Sequence, residues 1–174
     1  MKRILTITIV VLLASFSISA LSYEPALNFS MGIRGSKLEE WYLHTSTLVT
    51  LETELPTISF DYGGRLSLPI GLSLNSRSVE YDDIAIHGYI EIFIGMAYEQ
   101  KVTEKFSIST ALKALYRYYE TIDSSLIGGS LELGFIFMPH PNIGLMVPLE
   151  LSMLKGEMDY SISLASRFLF GGSK

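Results

Sequence analysis

His44 and Ser46 stand two residues apart in the stretch "LHTST", a spacing that puts both side chains on the same face of an extended strand. An imidazole beside a hydroxyl can take its proton and make it a nucleophile, which is the working half of a hydrolase. The wider context of such a site is missing from the surrounding sequence. His87 and His140 are far from His44 and from each other, and three separated histidines do not make a metal-ligand spacing. Glu39-Glu40 and Asp82-Asp83 offer neighbouring carboxylates to a divalent cation, but solvated loop acids are the plainer reading. The expectation is therefore a protein with no catalytic residues, no metal and no cofactor.

A second set of reactive groups is more regular. Arg34, Arg65, Glu91, Glu99, Lys113, Arg117, Glu132, Glu150 and Arg167 each interrupt a stretch in which apolar residues recur at every second position. In "IAIHGYIEIFIGMAYEQ", Ile84 to Gln100, the residues Ile84, Ile86, Ile90, Ile92, Ile94, Met96 and Tyr98 fall on one face of a strand. His87, Glu91, Gly95 and Glu99 fall on the other. The same period governs "ALNFSMGIRG", "RLSLPIGLSLN", "FSISTALKALYRYY", "LIGGSLELGFIF", "IGLMVPLELSM" and "YSISLASRFLF". Between Thr45 and Phe60 the apolar phase runs odd through Val49, Leu51 and Leu55 and then even through Ile58 and Phe60. This predicts a strand with a bulge near Pro56, which has no amide hydrogen to give a ladder.

These readings make eight strands. Asp61 to Gly64, Gln100 to Lys105 and Met138 to Asn142 are short enough for tight turns at one end. Gly35 to His44, Ser76 to Asp83, Glu120 to Ser125 and Leu154 to Asp159 are expected as longer loops at the other.

Ahead of the strands, Lys2 and Arg3 precede the apolar run Ile4 to Ala14 and then small residues, the pattern of a secretory signal peptide over 1–22, cleaved near Ser22. One domain over 23–174 is expected to follow. Without Lys2 and Arg3 the thirteen basic residues become eleven, against eighteen acidic ones, so phosphate-rich nucleic acid is excluded as a partner. There is no cysteine, hence no disulfide framework and no thiolate metal site. The mean hydropathy of +0.34 is high. Yet no mature segment holds the ~18 consecutive apolar residues of a spanning helix.

Strands can carry such apolar character into a membrane only as a closed barrel, because lipid offers nothing to an unpaired edge. The polar faces here consist of Ser, Gly and Ala broken by single charges, as in the crowded interior of a small barrel, where each charge needs a partner. Register by register, Glu91 would meet Lys113 or Arg117, and Glu132 would meet one of the same two. Aromatics gather at both strand ends: Tyr62, Tyr98, Phe106, Phe168 and Phe170 toward the turns, and Trp41, Tyr42, Tyr116, Tyr118 and Tyr160 toward the loops. Two girdles at two water–lipid interfaces have this arrangement.

By this pattern, its strand count and its closing aromatic strand "YSISLASRFLF", the chain resembles the small eight-stranded outer-membrane barrels of the OmpA, OmpX and OmpW type. The resemblance implies an all-β, antiparallel, up-and-down transmembrane barrel. Its implied partners are outer-membrane lipid, the barrel-insertion machinery, and host or extracellular ligands reached through loop residues such as Trp41, Tyr42, Asp82 and Asp83. Members commonly end on a Phe, whereas here Phe170 is followed by Gly171-Gly172-Ser173-Lys174. A structural or surface-contact role with an ion-paired, plugged interior is the expected function. The alternatives are a narrow pore or a conduit for small or hydrophobic solutes, as in OmpW-like proteins. An enzyme resembling the lipid A deacylases, built on His44 and Ser46, comes after both.

Overall fold

The structure is a computed structural model that describes residues 25–37, 43–60, 62–81, 84–119, 123–155 and 157–170. The signal segment 1–22, Glu39, Glu40, Trp41, Tyr42, Asp82 and Asp83 lie outside the described residues.

Eight strands follow one another: β1 (Ala26–Lys37), β2 (Leu43–Ser59), β3 (Gly64–Tyr81), β4 (Ile84–Lys101), β5 (Phe106–Tyr119), β6 (Ser124–His140), β7 (Ile143–Leu154) and β8 (Glu157–Leu169). Each pairs antiparallel with the next, and β8 returns to β1 with Ala26 opposite Leu169, closing the barrel. Closure leaves no sheet edge, which is the requirement a hydrocarbon solvent imposes on strands. No helix among the described residues is long and apolar enough to cross a membrane.

Burial runs inside out relative to a water-soluble sheet. Ile127, Leu112 and Leu164 on the outer face are 76%, 66% and 61% exposed, while Arg34, Arg117 and Arg167 on the inner face are 1%, 0% and 1% exposed. Alternation alone fixes this, because a register shift of one residue would exchange every Leu for its charged or serine neighbour.

The irregularity in β2 lies where the sequence places it: the β2–β3 register slips between Pro56 and Ile58, which carries the outward apolar phase from odd to even. A second slip, between Asn75 and Ser78 against β4, coincides with Gly88 at φ +54°. A side chain at Gly88 would be strained in that conformation and would strike the Asn75 carbonyl, so glycine is what lets the ladder shift there.

The long loops of the sequence reading are corrected. β1 extends to Lys37, β3 to Tyr81 and β8 back to Glu157, so half of Gly35 to His44 and most of Ser76 to Asp83 and of Leu154 to Asp159 is strand. Ser124 and Ser125 likewise begin β6. Ser, Gly and acidic residues read as loop by composition, but ladder hydrogen bonds to a neighbouring strand outweigh weak propensity. The turn between β7 and β8 needs only Leu154 opposite Glu157, with Lys155 in the left-handed region at φ 40°.

Candidate functional site

The inner faces bring the charged residues together in three layers. Nearest the turn end, Arg167 on β8 grips Glu54 on β2 with two parallel bonds, Nη1 to Oε1 at 2.7 Å and Nη2 to Oε2 at 2.9 Å. Its Nη2 also reaches Glu99 on β4 at 3.0 Å, and Arg65 on β3 joins Glu99 at 2.9 Å. The planar guanidinium fork is what allows one cation to hold two strands at once.

In the middle layer Lys113 on β5 lies between Glu52 on β2 at 2.7 Å and Glu132 on β6 at 2.6 Å. Its ammonium also stands 4.5 Å from the centroid of Phe93. Gly71 makes room for that ring, since a Cβ there would collide with it.

Toward the loop end, Arg34 on β1 donates to Tyr89 at 2.8 Å, to Glu91 on β4 at 3.0 Å and to Glu150 on β7 at 2.9 Å. Arg117 on β5 meets Glu91 at 2.8 Å and Asp159 on β8 at 2.6 Å. Its guanidinium lies 4.1 Å over the Tyr89 ring, itself edge-on to Tyr119.

Most of these bonds cross the interior between strands that are not neighbours, so the barrel is laced across its diameter. Apolar side chains fill between the layers: Phe93, Leu115 and Leu154 in one cluster, Ile136, Met146 and Ala165 in another. Between them remains a cavity of about 30 Å³, lined by Asn28, Glu52, Lys113, Glu132 and Glu150 among others. That is room for one or two water-sized particles.

Against solved structures, Ail, the attachment invasion locus protein of Yersinia pestis, superposes with a TM-score of 0.59 at 13% identity, covering 86% of this chain and 100% of its own. Neisserial surface protein A gives 0.56 at 10% identity, covering 84% and 97%. A de novo designed transmembrane β-barrel gives 0.53 at 14%, covering 83% and 94%. The fold is that of the small eight-stranded outer-membrane barrels. No protein-family model and no curated protein sequence matches the chain.

Within the barrel, the structure settles the pairings that the sequence leaves open: Glu91 faces Arg117, and Lys113 takes Glu132. All nine charges of the sequence reading take part in the network. Three members are absent from that reading. Glu52 and Glu54 alternate with Leu51 and Leu55 and so were in phase with the interior, but the slip at Pro56 obscured the face of the whole segment. Composition places Asp159 in a loop, although Ser161, Ser163 and Arg167 continue its phase. The interior is also less uniformly small than Ser, Gly and Ala suggest, for Leu48, Tyr89, Phe93, Leu115, Tyr119, Ile136, Met146 and Leu154 point into it.

Of the aromatics, Tyr62, Phe168 and Phe170 at the turn end are exposed, as are Tyr116 and Tyr160 at the loop end. Phe106 and Tyr118 are partly covered on the same outward phase. Tyr98 donates to Gln100 at 2.6 Å, and Tyr62 stacks on Phe60 at 5.2 Å. Tyr118 meets Asp123 at 3.0 Å. Trp41 and Tyr42 are outside the described residues, as is the side chain of His44. Ser46 is buried in the interior, donating to the Arg34 carbonyl at 3.2 Å and accepting from the Asn75 amide at 2.8 Å. Its hydroxyl is therefore committed to two partners on the side away from lipid. Among the described residues no group of three or more His, Asp or Glu could hold a metal ion.

Proposed function

We propose that the protein is an integral outer-membrane barrel whose interior is plugged and which acts through its outer surface, with neither transport nor catalysis as its task. One observation carries the reading. Ion pairs span the interior in three successive layers, Arg167–Glu54, Lys113–Glu52 and Arg34–Glu91, with a cavity of about 30 Å³ among them. A hydrated ion would have to break at least one buried pair per layer to pass. The exported start of the sequence and the lipid-facing apolar rows support the location.

Sequence at the loop end narrows the kind of contact. Glu39, Glu40, Glu80, Asp82, Asp83, Glu120, Asp123 and Glu157 there outnumber Lys37, Arg77 and Lys155. Ail is known in complex with the heparin analogue sucrose octasulfate, a polyanion. An acid-rich sequence at the loop end disfavours such a ligand and favours a cationic one.

Planar-bilayer recording tests the plug. The purified barrel should show no steady unitary openings in the wild type. Steady openings whose amplitude changes in Glu132→Ala would make the interior a conducting path and replace this reading with the pore.

A further inference from the structure

The ion pairs of the interior do not balance. Among the described residues they join the carboxylates Glu52, Glu54, Glu91, Glu99, Glu132, Glu150 and Asp159, seven in all, to five cations, Arg34, Arg65, Lys113, Arg117 and Arg167. The turn-end layer is even, with Glu54 and Glu99 against Arg65 and Arg167. The surplus lies in the other two, where Glu52 and Glu132 share Lys113, and Glu91, Glu150 and Asp159 share Arg34 and Arg117. An uncompensated carboxylate in a water-poor interior is costly, so the surplus has to be met by positive charge from elsewhere.

The cavity lies at that surplus. Glu52, Glu132 and Glu150 line it, with Lys113 as the neighbouring cation. A second observation points to the same place. Asn28, 4% exposed, also lines the cavity. Its amide nitrogen is fully used, donating to Glu52 at 2.9 Å and to Glu54 at 2.7 Å, and its Oδ1 has no partner among the described residues. The amide cannot be turned round, because only its NH2 can face two carboxylates. An oxygen acceptor is thus left bare beside an excess of negative charge, in a space of water size, with the hydroxyl residues Ser30, Thr50, Ser73, Ser161 and Ser163 in the same wall.

From this we infer that the cavity is a binding site for one small monovalent cation of the sodium type, which offsets one of the two surplus charges and is held by Asn28 Oδ1, no more than two of the carboxylates and the surrounding hydroxyls. Each simpler occupant solves half the problem. Water satisfies Asn28 Oδ1 and leaves the charge. A proton on a carboxylate removes one charge and fills none of the space. The inference goes beyond the surface role and uses a different readout: conductance tests passage, whereas occupancy shows as stability.

The test is urea unfolding of the detergent-folded barrel with sodium chloride exchanged for choline chloride at fixed ionic strength. A ligand bound only by the folded state lowers the unfolding constant in proportion to its concentration once the site is filling. Each tenfold rise in sodium should then reduce that constant about tenfold. Glu132→Gln removes one surplus charge while keeping an oxygen for Lys113, and it should abolish the sodium response. Glu52→Gln serves the same purpose if the first variant does not fold. Equal effects of choline and sodium, no effect of either, or an undiminished response in the folded variant would each overturn the inference.

Discussion

Arg117→Met destabilises the folded barrel by about 3–5 kcal/mol, the cost of removing one partner from a buried ion pair. Arg117 is fully buried, bonded to Glu91 at 2.8 Å and Asp159 at 2.6 Å, and seated on Tyr89. Glu91 keeps Arg34 as a second cation, but Asp159, also fully buried, loses its charged partner. The loss therefore comes mainly from the orphaned aspartate, and Asp159→Asn in the Arg117→Met background should recover part of it. Arg65→Met, at a site where the side chain is 18% exposed and water still reaches, should cost less than half as much. Urea midpoints in detergent, with the gel-mobility difference between heated and unheated samples as the folding assay, measure all three. Equal losses at Arg117 and Arg65 would show that the interior is wet throughout.

Leu133→Arg is the second large effect. Leu133 faces outward in the middle of β6, while its neighbour Glu132 faces inward to Lys113. An arginine on the lipid face near the bilayer midplane costs about 2–4 kcal/mol. Glu132→Gln, one residue away but inside, keeps a hydrogen-bonding oxygen and should leave insertion into vesicles near the wild-type yield. If both variants insert equally well or equally badly, the two faces have been assigned wrongly.

The alternation of Leu and Ile with Ser and Gly was enough to read eight strands, closure and the outward face, because a strand has only two faces and lipid tolerates charge on neither its rows nor its edges. Pairing was legible only as a choice. Glu91 lies within reach of either Lys113 or Arg117 until the register fixes Glu91 opposite Arg117. Bonds across the diameter, such as Glu54 to Arg167 with 113 residues between them, leave no local trace at all. Glu52 and Glu54 were hidden for a different reason: one extra residue at Pro56 reverses the phase, so a single pattern applied along β2 gives conflicting faces. Asp159 was lost to composition, since "KGEMD" reads as loop until β8 is seen to start at Glu157.

Because the chain has no cysteine, single cysteines can be placed along β6 and β7 and labelled with an environment-sensitive fluorophore without background. In bilayers whose acyl chains carry bromine, a heavy-atom quencher, labels at Leu131, Leu133, Leu149 and Leu151 should be strongly quenched. Labels at Ser130, Gly134 and Ser152 should not, giving a two-residue alternation. Quenching without that alternation, or strongest at the serine and glycine positions, would contradict the placement of the leucine rows against lipid.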